Sequence, residues 1–286
     1  MRKHFPIGLD KLAPKPARKA TSRPVLVTKA ADAKDSTPAR SRPLLPSASA
    51  VAAPARARGS AGHAPVPTGM AALRQRMVAR LANEGIGDVR VLDAMNRLPR
   101  HAFVDPALEG QAYADAALPI GLGQTISSPS VVARMLELLF GGATASRTSS
   151  LGRVLEVGTG CGYQAALLSL LATSVISVER LRALHDLARR NLAAVDARRS
   201  ALRLVLGDGR LGHPPNAPYD SIIVAAVGDA VPPAWTEQLA VGGRLVMPQR
   251  VGASQVLVVI DHNEHGFTRS EHEAVRFVPL ESGVIA

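Results

Sequence analysis

Three glycines spaced two apart, Gly158, Gly160 and Gly162, follow the run Val154-Leu155-Glu156-Val157, and no other stretch of the 286 residues has a spacing so suited to holding a ligand. A residue without a Cβ enters the φ > 0 region freely and lets backbone come close to a bound molecule. The spacing G-x-G-x-G behind Glu156 differs from G-x-G-x-x-G, which seats a pyrophosphate at a helix N-terminus, so the ligand need not be a dinucleotide. Two more acidic residues end apolar runs. Glu179 closes Val175-Ile176-Ser177-Val178 at about the interval at which a carboxylate accepts hydrogen bonds from a ribose diol. It would equally suit the positive end of the helix that follows. Asp208, in Gly207-Asp208-Gly209, can accept from an adenine amino group or simply serve a turn.

Elements that would position these residues follow from periodicity. Apolar strands are predicted at 153–157, 174–178, 202–206, 220–225 and 243–247, alternating with helices at 163–172, 181–194 and near 233–239. Two further strands, 255–260 and 272–278, separated by the polar stretch from His262 to His265, read as an antiparallel ending. The pattern is that of an α/β fold, doubly wound and Rossmann-like, with a mostly parallel sheet covered on both faces. In such sheets ligands lie beyond the carboxyl ends of the strands, which groups Glu156–Gly162 with Glu179 and Asp208. Upstream, helices are predicted over 70–83 and 88–98 as an N-terminal helical subregion. Residues 99–128 read as a long irregular stretch, of the kind usually kept for function. Ser128-Pro129 has the form of an N-cap and first-turn proline opening a helix to Phe140, and Gly141 to Ser150 reads as linker.

Charge divides the chain. The formal net charge is +11, but residues 1–68 carry thirteen Lys and Arg against three Asp, a net +10, which leaves a nearly neutral body over 69–286. A neutral body has little to hold nucleic-acid phosphates. The first 68 residues also hold ten of the 21 prolines, too little apolar area to offset backbone ordering, so this tail is expected to be disordered. It lacks the apolar core of a secretory signal, its best run being Val25-Leu26-Val27. Its basic, acid-poor composition also fits a transit peptide or an extension upstream of a start near Met70. The longest apolar run, around Ile222 to Val227, is far short of the roughly 18–20 residues of a membrane span. Cys161 is the only cysteine, which suits a reducing compartment, and cytoplasm is the default.

Carboxylates around a glycine loop suit a cationic ligand without phosphate, and S-adenosyl-L-methionine is one. Glu156 to Gly162 matches the E/D-x-G-x-G-x-G element, in which the chain resembles the class I methyltransferases. More widely, over about residues 70–286, it resembles the protein-L-isoaspartate (D-aspartate) O-methyltransferase family. The blocks are Pro99 to Val104, Leu118 to Pro129 (LPIGLGQTISSP), Val154 to Tyr163, Val205 to Gly209 and Ala274 to Leu280 (AVRFVPL). The segment around Thr125-Ile126-Ser127 is the diagnostic one. The resemblance implies methyl transfer from S-adenosyl-L-methionine to the α-carboxyl of an L-isoaspartyl residue in damaged proteins or peptides. The ester then cyclises to a succinimide that can reopen to aspartate. It implies Ser127 as the active-site residue, its hydroxyl orienting the substrate carboxylate. It also implies a donor site drawing on Thr125, Ile126 and Ser127, on Glu156, Gly158, Thr159, Gly160 and Gly162, and on Glu179, Arg180, Asp208 and Gly209. Ser128 and Ser130 depart from the family, whose bacterial members more often carry Gln and an aromatic residue there.

Other polar residues read blandly. His101 suits loop packing near Phe103, Cys161 a small residue in the loop, and Trp235 packing or a loop cover. Among the other histidines, His185, His213, His262, His265 and His272 lack a converging spacing, so no metal is expected. A methyltransferase acting on nucleic acid is disfavoured by Ala225-Ala226-Val227-Gly228, where base-amino methyltransferases carry an Asn/Asp-Pro-Pro-aromatic element. A small-molecule methyltransferase and a non-catalytic binder of the same donor remain the alternatives, because fold does not fix activity. Neutrality of the body favours a monomer no more than a dimer; monomer is the working expectation.

Overall fold

The computed structural model describes residues 69–195 and 197–286; the expected disorder of residues 1–68 lies outside the described residues. Seven strands form one sheet: β3 (Arg153–Val157), β4 (Ser174–Glu179), β5 (Leu202–Leu206), β6 (Tyr219–Val224), β7 (Leu239–Val251), β8 (Ser254–Asn263) and β9 (Gly266–Ala274). Their order is β5-β4-β3-β6-β7-β8-β9, parallel from β5 to β7 and antiparallel across β7-β8 and β8-β9. Strands β3, β4 and β6 are rich in Val and Ile because both faces of a parallel sheet are buried. The chain leaves β3 toward β4 and β5, then returns to place β6 on the other side of β3. That reversal opens a crevice between the strand ends.

Parallel register sorts alternate residues onto two cores. Val154, Val175, Ile223 and Val246 face one, with α1 (Met70–Asn83), α2 (Val89–Arg97), α3 (Pro129–Phe140), α5 (Tyr163–Leu171) and α6 (Arg182–Ala193) packed over them. Leu155, Ile176, Ile222 and Leu245 face the other, covered by the short α7 (Pro233–Gln238) and by Trp235, which is fully buried. The indole Nε1 donates to the Gly209 carbonyl at 2.8 Å, so Trp235 packs the core and also steadies the turn after β5. Helical cover is therefore unequal on the two faces.

Several boundaries differ from the sequence expectation. Residues 99–128 are not irregular. They hold 3-10 turns at Arg100–Phe103 and Pro106–Gln111 and a hairpin of β1 (Leu118–Gly121) and β2 (Gln124–Ile126). Elements of three to six residues are too short to show a hydrophobic period. The stretch that reads as linker, 141–150, contains the short helix α4 (Ala143–Thr148). Strand β7 runs to thirteen residues rather than five, since its later half pairs with β8 beyond the parallel sheet. The last strand ends at Ala274 instead of continuing to 278. From there the chain crosses the tips of the parallel strands, exchanging backbone bonds with Val227, Arg180 and Arg182.

Ser128 occupies the N-cap position of α3 ahead of Pro129, but its side chain makes no cap bond. Its hydroxyl meets that of Ser130 at 3.3 Å, and the Ser130 N–H is accepted by Asp115 Oδ1 at 2.9 Å, from fifteen residues upstream. A carboxylate there also complements the helix dipole.

Candidate active site

A solvent-open crevice lies past the ends of β3, β4 and β6. Its walls are the glycine loop, Glu179 and Arg180 at the end of β4, Ala225 and Ala226 after β6, Thr125 to Ser127 at the end of the hairpin, and Val278 to Glu281 of the C-terminal segment. All three loop glycines have positive φ: 92° at Gly158, 56° at Gly160 and 92° at Gly162. Gly162 is confined between two side chains, since a Cβ there would lie 3.3 Å from both Ala188 and Leu192. Any L side chain would be strained by that φ and would also push α5 away from α6.

The Glu179 carboxylate is the charged group this loop organises. One oxygen accepts from the Gly160 N–H at 2.9 Å, and the other accepts from the N–H groups of Arg180 and Leu181 at 2.9 and 3.0 Å. The helix-start reading of Glu179 holds, and the same geometry leaves room for the other. It serves the start of α6, and it is a buried wall of the crevice with acceptor capacity left for a diol.

Glu156 is elsewhere. Register places it level with Ser177 and Ile223, on the helix-covered face, so it does not line the crevice. Ser177 Oγ donates to Glu156 Oε2 at 2.5 Å, and Thr159 Oγ1 meets Ser177 Oγ in turn. Glu156 is fully buried, and desolvation, opposed by its hydrogen bonds, pushes its carboxyl pKa up to about 8. It is therefore mostly neutral at pH 7 and acts by ordering Thr159 from below the loop. Of the three acidic residues that the sequence grouped into one pocket, only Glu179 lines the wall.

Asp208 caps the turn after β5, accepting from the Arg210 N–H at 2.9 Å and from the Gly283 N–H at 2.7 Å. Its neighbour Gly209 does line the crevice, pressed so closely on Val157 that a Cβ would fall 2.4 Å from Cγ1. Arg180 is turned to the C-terminal segment, donating to the Glu281 carboxylate at 2.6 Å and to the carbonyls of Ser282 and Gly283. Together Asp208, Arg180 and the backbone of Ile285 tie residues 278–285 across the strand ends.

On the hairpin side, Ile126 is buried, Thr125 is exposed and Ser127 is half-buried. All three line the crevice. The Ser127 carbonyl accepts from Arg100 Nη2 at 2.7 Å, whereas its hydroxyl has no partner among the described residues. Cys161 is buried, and desolvation raises its thiol to about 11, which removes it as a nucleophile. His101 pairs through Nδ1 with the Tyr113 hydroxyl at 2.7 Å.

These residues fit S-adenosyl-L-methionine better than a phosphate ligand. The loop N–H of Gly160, which an anion at this helix start would need, is already held by the Glu179 carboxylate, and Arg180 is committed to Glu281. A ligand offering hydroxyls and a positive centre matches what remains. Sequence reading missed Arg100, Asp115, Ser177 and the role of residues 278–283. Arg100 and the AVRFVPL block stood within segments already singled out. The clue available was a cation beside a proline in an apolar setting.

The family model for Protein-L-isoaspartate(D-aspartate) O-methyltransferase matches residues 72–284. A protein-L-isoaspartate O-methyltransferase of Methylibium petroleiphilum is 51% identical over 286 residues, covering 98% of this chain and 96% of its own. That of Leptothrix cholodnii is 55% identical over 252 residues, covering 86% and 85%. A solved protein-L-isoaspartate O-methyltransferase at 28% identity aligns with a TM-score of 0.62 over 73% of this chain and 66% of that one. A Plasmodium falciparum protein of the same description, solved in complex with S-adenosyl-L-homocysteine, reaches the same TM-score at 23% identity, covers 73% and 98%, and shares the fold.

Proposed function

The chain belongs to the protein-L-isoaspartate(D-aspartate) O-methyltransferase family, and from that premise we infer how its own residues carry out the repair reaction. The enzyme transfers a methyl group to the free carboxyl of L-isoaspartyl residues in damaged proteins. S-adenosyl-L-methionine, when bound, supplies an electrophilic methyl on a sulfonium. Glu179 and the glycine loop would hold the donor's sugar, Gly209 and the turn capped by Asp208 would flank its base, and Thr125, Ile126 and Ser127 would border the reacting end. Arg180 keeps the C-terminal segment over the crevice, and Glu156 sets Thr159 from beneath.

A carboxylate of reference pKa about 4 is already an anion at pH 7, so no strong general base is required. The task of the protein is alignment and exclusion of water, and oriented reactants can gain roughly 7–11 kcal/mol over a bimolecular encounter. Ser127 donates its hydroxyl to the acceptor carboxylate and fixes its direction. The observation that carries this reading is the hydroxyl of half-buried Ser127, without an internal partner among the described residues, on the same crevice as the loop-bound Glu179. A radiolabelled methyl assay with an isoaspartyl peptide, its aspartyl twin and a D-aspartyl version tests it. Label is expected on the isoaspartyl peptide and not on the aspartyl twin; equal labelling of those two would defeat the reading, and the third arm reports D-aspartyl acceptance.

The reading extends to a cytoplasmic monomer built as a helical, acceptor-side part over 69–150 and a donor-binding part over 151–286. The lone, buried Cys161 supports a reducing compartment. No helix among the described residues is long and apolar enough to cross a membrane. Cell fractionation and sedimentation of the purified chain check compartment and mass.

A further inference from the structure

Arg100 is fully buried, and among the described residues it forms no ion pair with any carboxylate. Its Nε donates to the Ala112 carbonyl at 2.8 Å, its Nη2 donates to the Ser127 carbonyl at 2.7 Å, and its Nη1 is buried with no partner. The guanidinium carbon lies 5.0 Å from the centre of the Tyr163 ring, and Tyr163 itself lines the crevice. The Tyr163 hydroxyl is also buried; it lies outside hydrogen-bond geometry, yet it is close enough to the guanidinium to oppose the effect of burial on Arg100. Asp115, the carboxylate whose field reaches Arg100, is exposed and gives one oxygen to the cap of α3.

An unpaired buried charge costs several kcal/mol unless something compensates it. Burial lowers the pKa of Arg100, yet a guanidinium starts so far above neutrality that it keeps its proton. The two carbonyls use the donors of the guanidinium but carry no charge to balance it. What the charge offers beyond packing is a positive potential one side chain behind the crevice wall, at the loop that carries Ser127.

We propose that Arg100 is a positioning residue for the methyl acceptor: it clamps the Ser127 carbonyl, and its unbalanced charge makes the crevice prefer an anionic carboxylate to a neutral group beside Ser127. The proposal rests on the role given to Ser127 above and adds a basis for selecting the charged acceptor. Because Arg100 does not itself line the crevice, it acts through the Ser127 loop and through the field, not by contact.

The test uses the full chain saturated with S-adenosyl-L-homocysteine, so that no methyl can move. Dissociation constants are measured for an isoaspartyl peptide and for the same peptide with its α-carboxyl converted to a carboxamide. Wild type is expected to prefer the carboxylate, and Arg100→Met to shrink that preference about tenfold, roughly 1.4 kcal/mol. Binding of S-adenosyl-L-homocysteine should stay within about threefold, and Arg100→Lys should restore most of the preference. Loss of affinity for both peptides by the same factor, or Arg100→Lys behaving like Arg100→Met, would reduce Arg100 to packing and overturn the proposal. Should Arg100→Met not fold, Arg100→Gln, which keeps a donor for the carbonyls and drops the charge, carries the same comparison. Wild-type turnover on the isoaspartyl peptide is measured alongside. Its absence would count against the Ser127 reading, whereas normal turnover with an unchanged preference in the variants would count against Arg100 alone.

Discussion

The two sides of the crevice are built on opposite principles. On the donor side the acids are satisfied by nearby backbone: every carboxylate oxygen of Glu179 and Asp208 already accepts a backbone N–H, and the strands beneath fix their positions by register. On the acceptor side polar groups stay underused. The Ser127 hydroxyl lacks an internal partner among the described residues, Arg100 has a spare buried donor, and the segment is made of short 3-10 turns and a two-strand hairpin. A preformed side can bind the cofactor with little reorganisation. On the function proposed above, the underused side keeps its hydrogen-bonding capacity for the substrate.

The sharpest way to break this contrast is at Gly162. Gly162→Val places a β-branched side chain at φ 92° against Ala188 and Leu192. Donor affinity is expected to fall at least a hundredfold and stability by about 3 kcal/mol or more, read by calorimetry and by denaturant midpoint. A donor dissociation constant close to wild type would mean that the loop is not preformed as described.

Next in size is Ser127→Ala, which removes the hydroxyl and leaves the carbonyl that Arg100 holds. A fall of about ten- to a hundredfold in kcat/KM on the isoaspartyl peptide, with donor binding unchanged, is expected for a single lost orienting hydrogen bond. If donor binding weakened in step, the division into two sides would fail.

The smallest effect on binding, and the finest cut within the donor side, is Glu156→Gln. Between about pH 4.5 and 8 the native state holds a proton on Glu156 that the unfolded chain releases, so stability falls as pH rises through that window. Replacing the carboxyl by an amide should flatten this dependence, raising stability near pH 8.5 by on the order of a few kcal/mol and changing little near pH 5. Donor affinity at pH 7 should move by less than threefold, because a neutral carboxyl is exchanged for a neutral amide. A large loss of affinity would show that the charge of Glu156 reaches the donor after all.

The alternation of apolar runs with helical segments was readable because buried parallel strands need Val and Ile on both faces, and the glycine spacing announced the loop. The contents of 99–128 were not readable. Its turns are shorter than any period, and its ordering force is long-range: Arg100 to Ser127, Asp115 to Ser130, His101 to Tyr113. Glu156 is the instructive case within the motif. Its identity was plain in the sequence, yet which side of the sheet it faced depended on pairing with Ser177 and Ile223, a relation across strands that carries no local signal.

By itself, the sequence determined a parallel α/β core, a glycine loop, an acid after the second core strand and a serine ahead of a proline-started helix, because each is written in residues close together in the chain. Tertiary structure alone decided which acids face the ligand, that a distant aspartate caps the helix behind Ser127, that the C-terminal segment crosses the strand tips, and that a buried arginine stands behind the serine. Those outcomes turn on strand register and on hydrogen bonds between residues far apart in the chain, and they exist only once the chain has closed on itself.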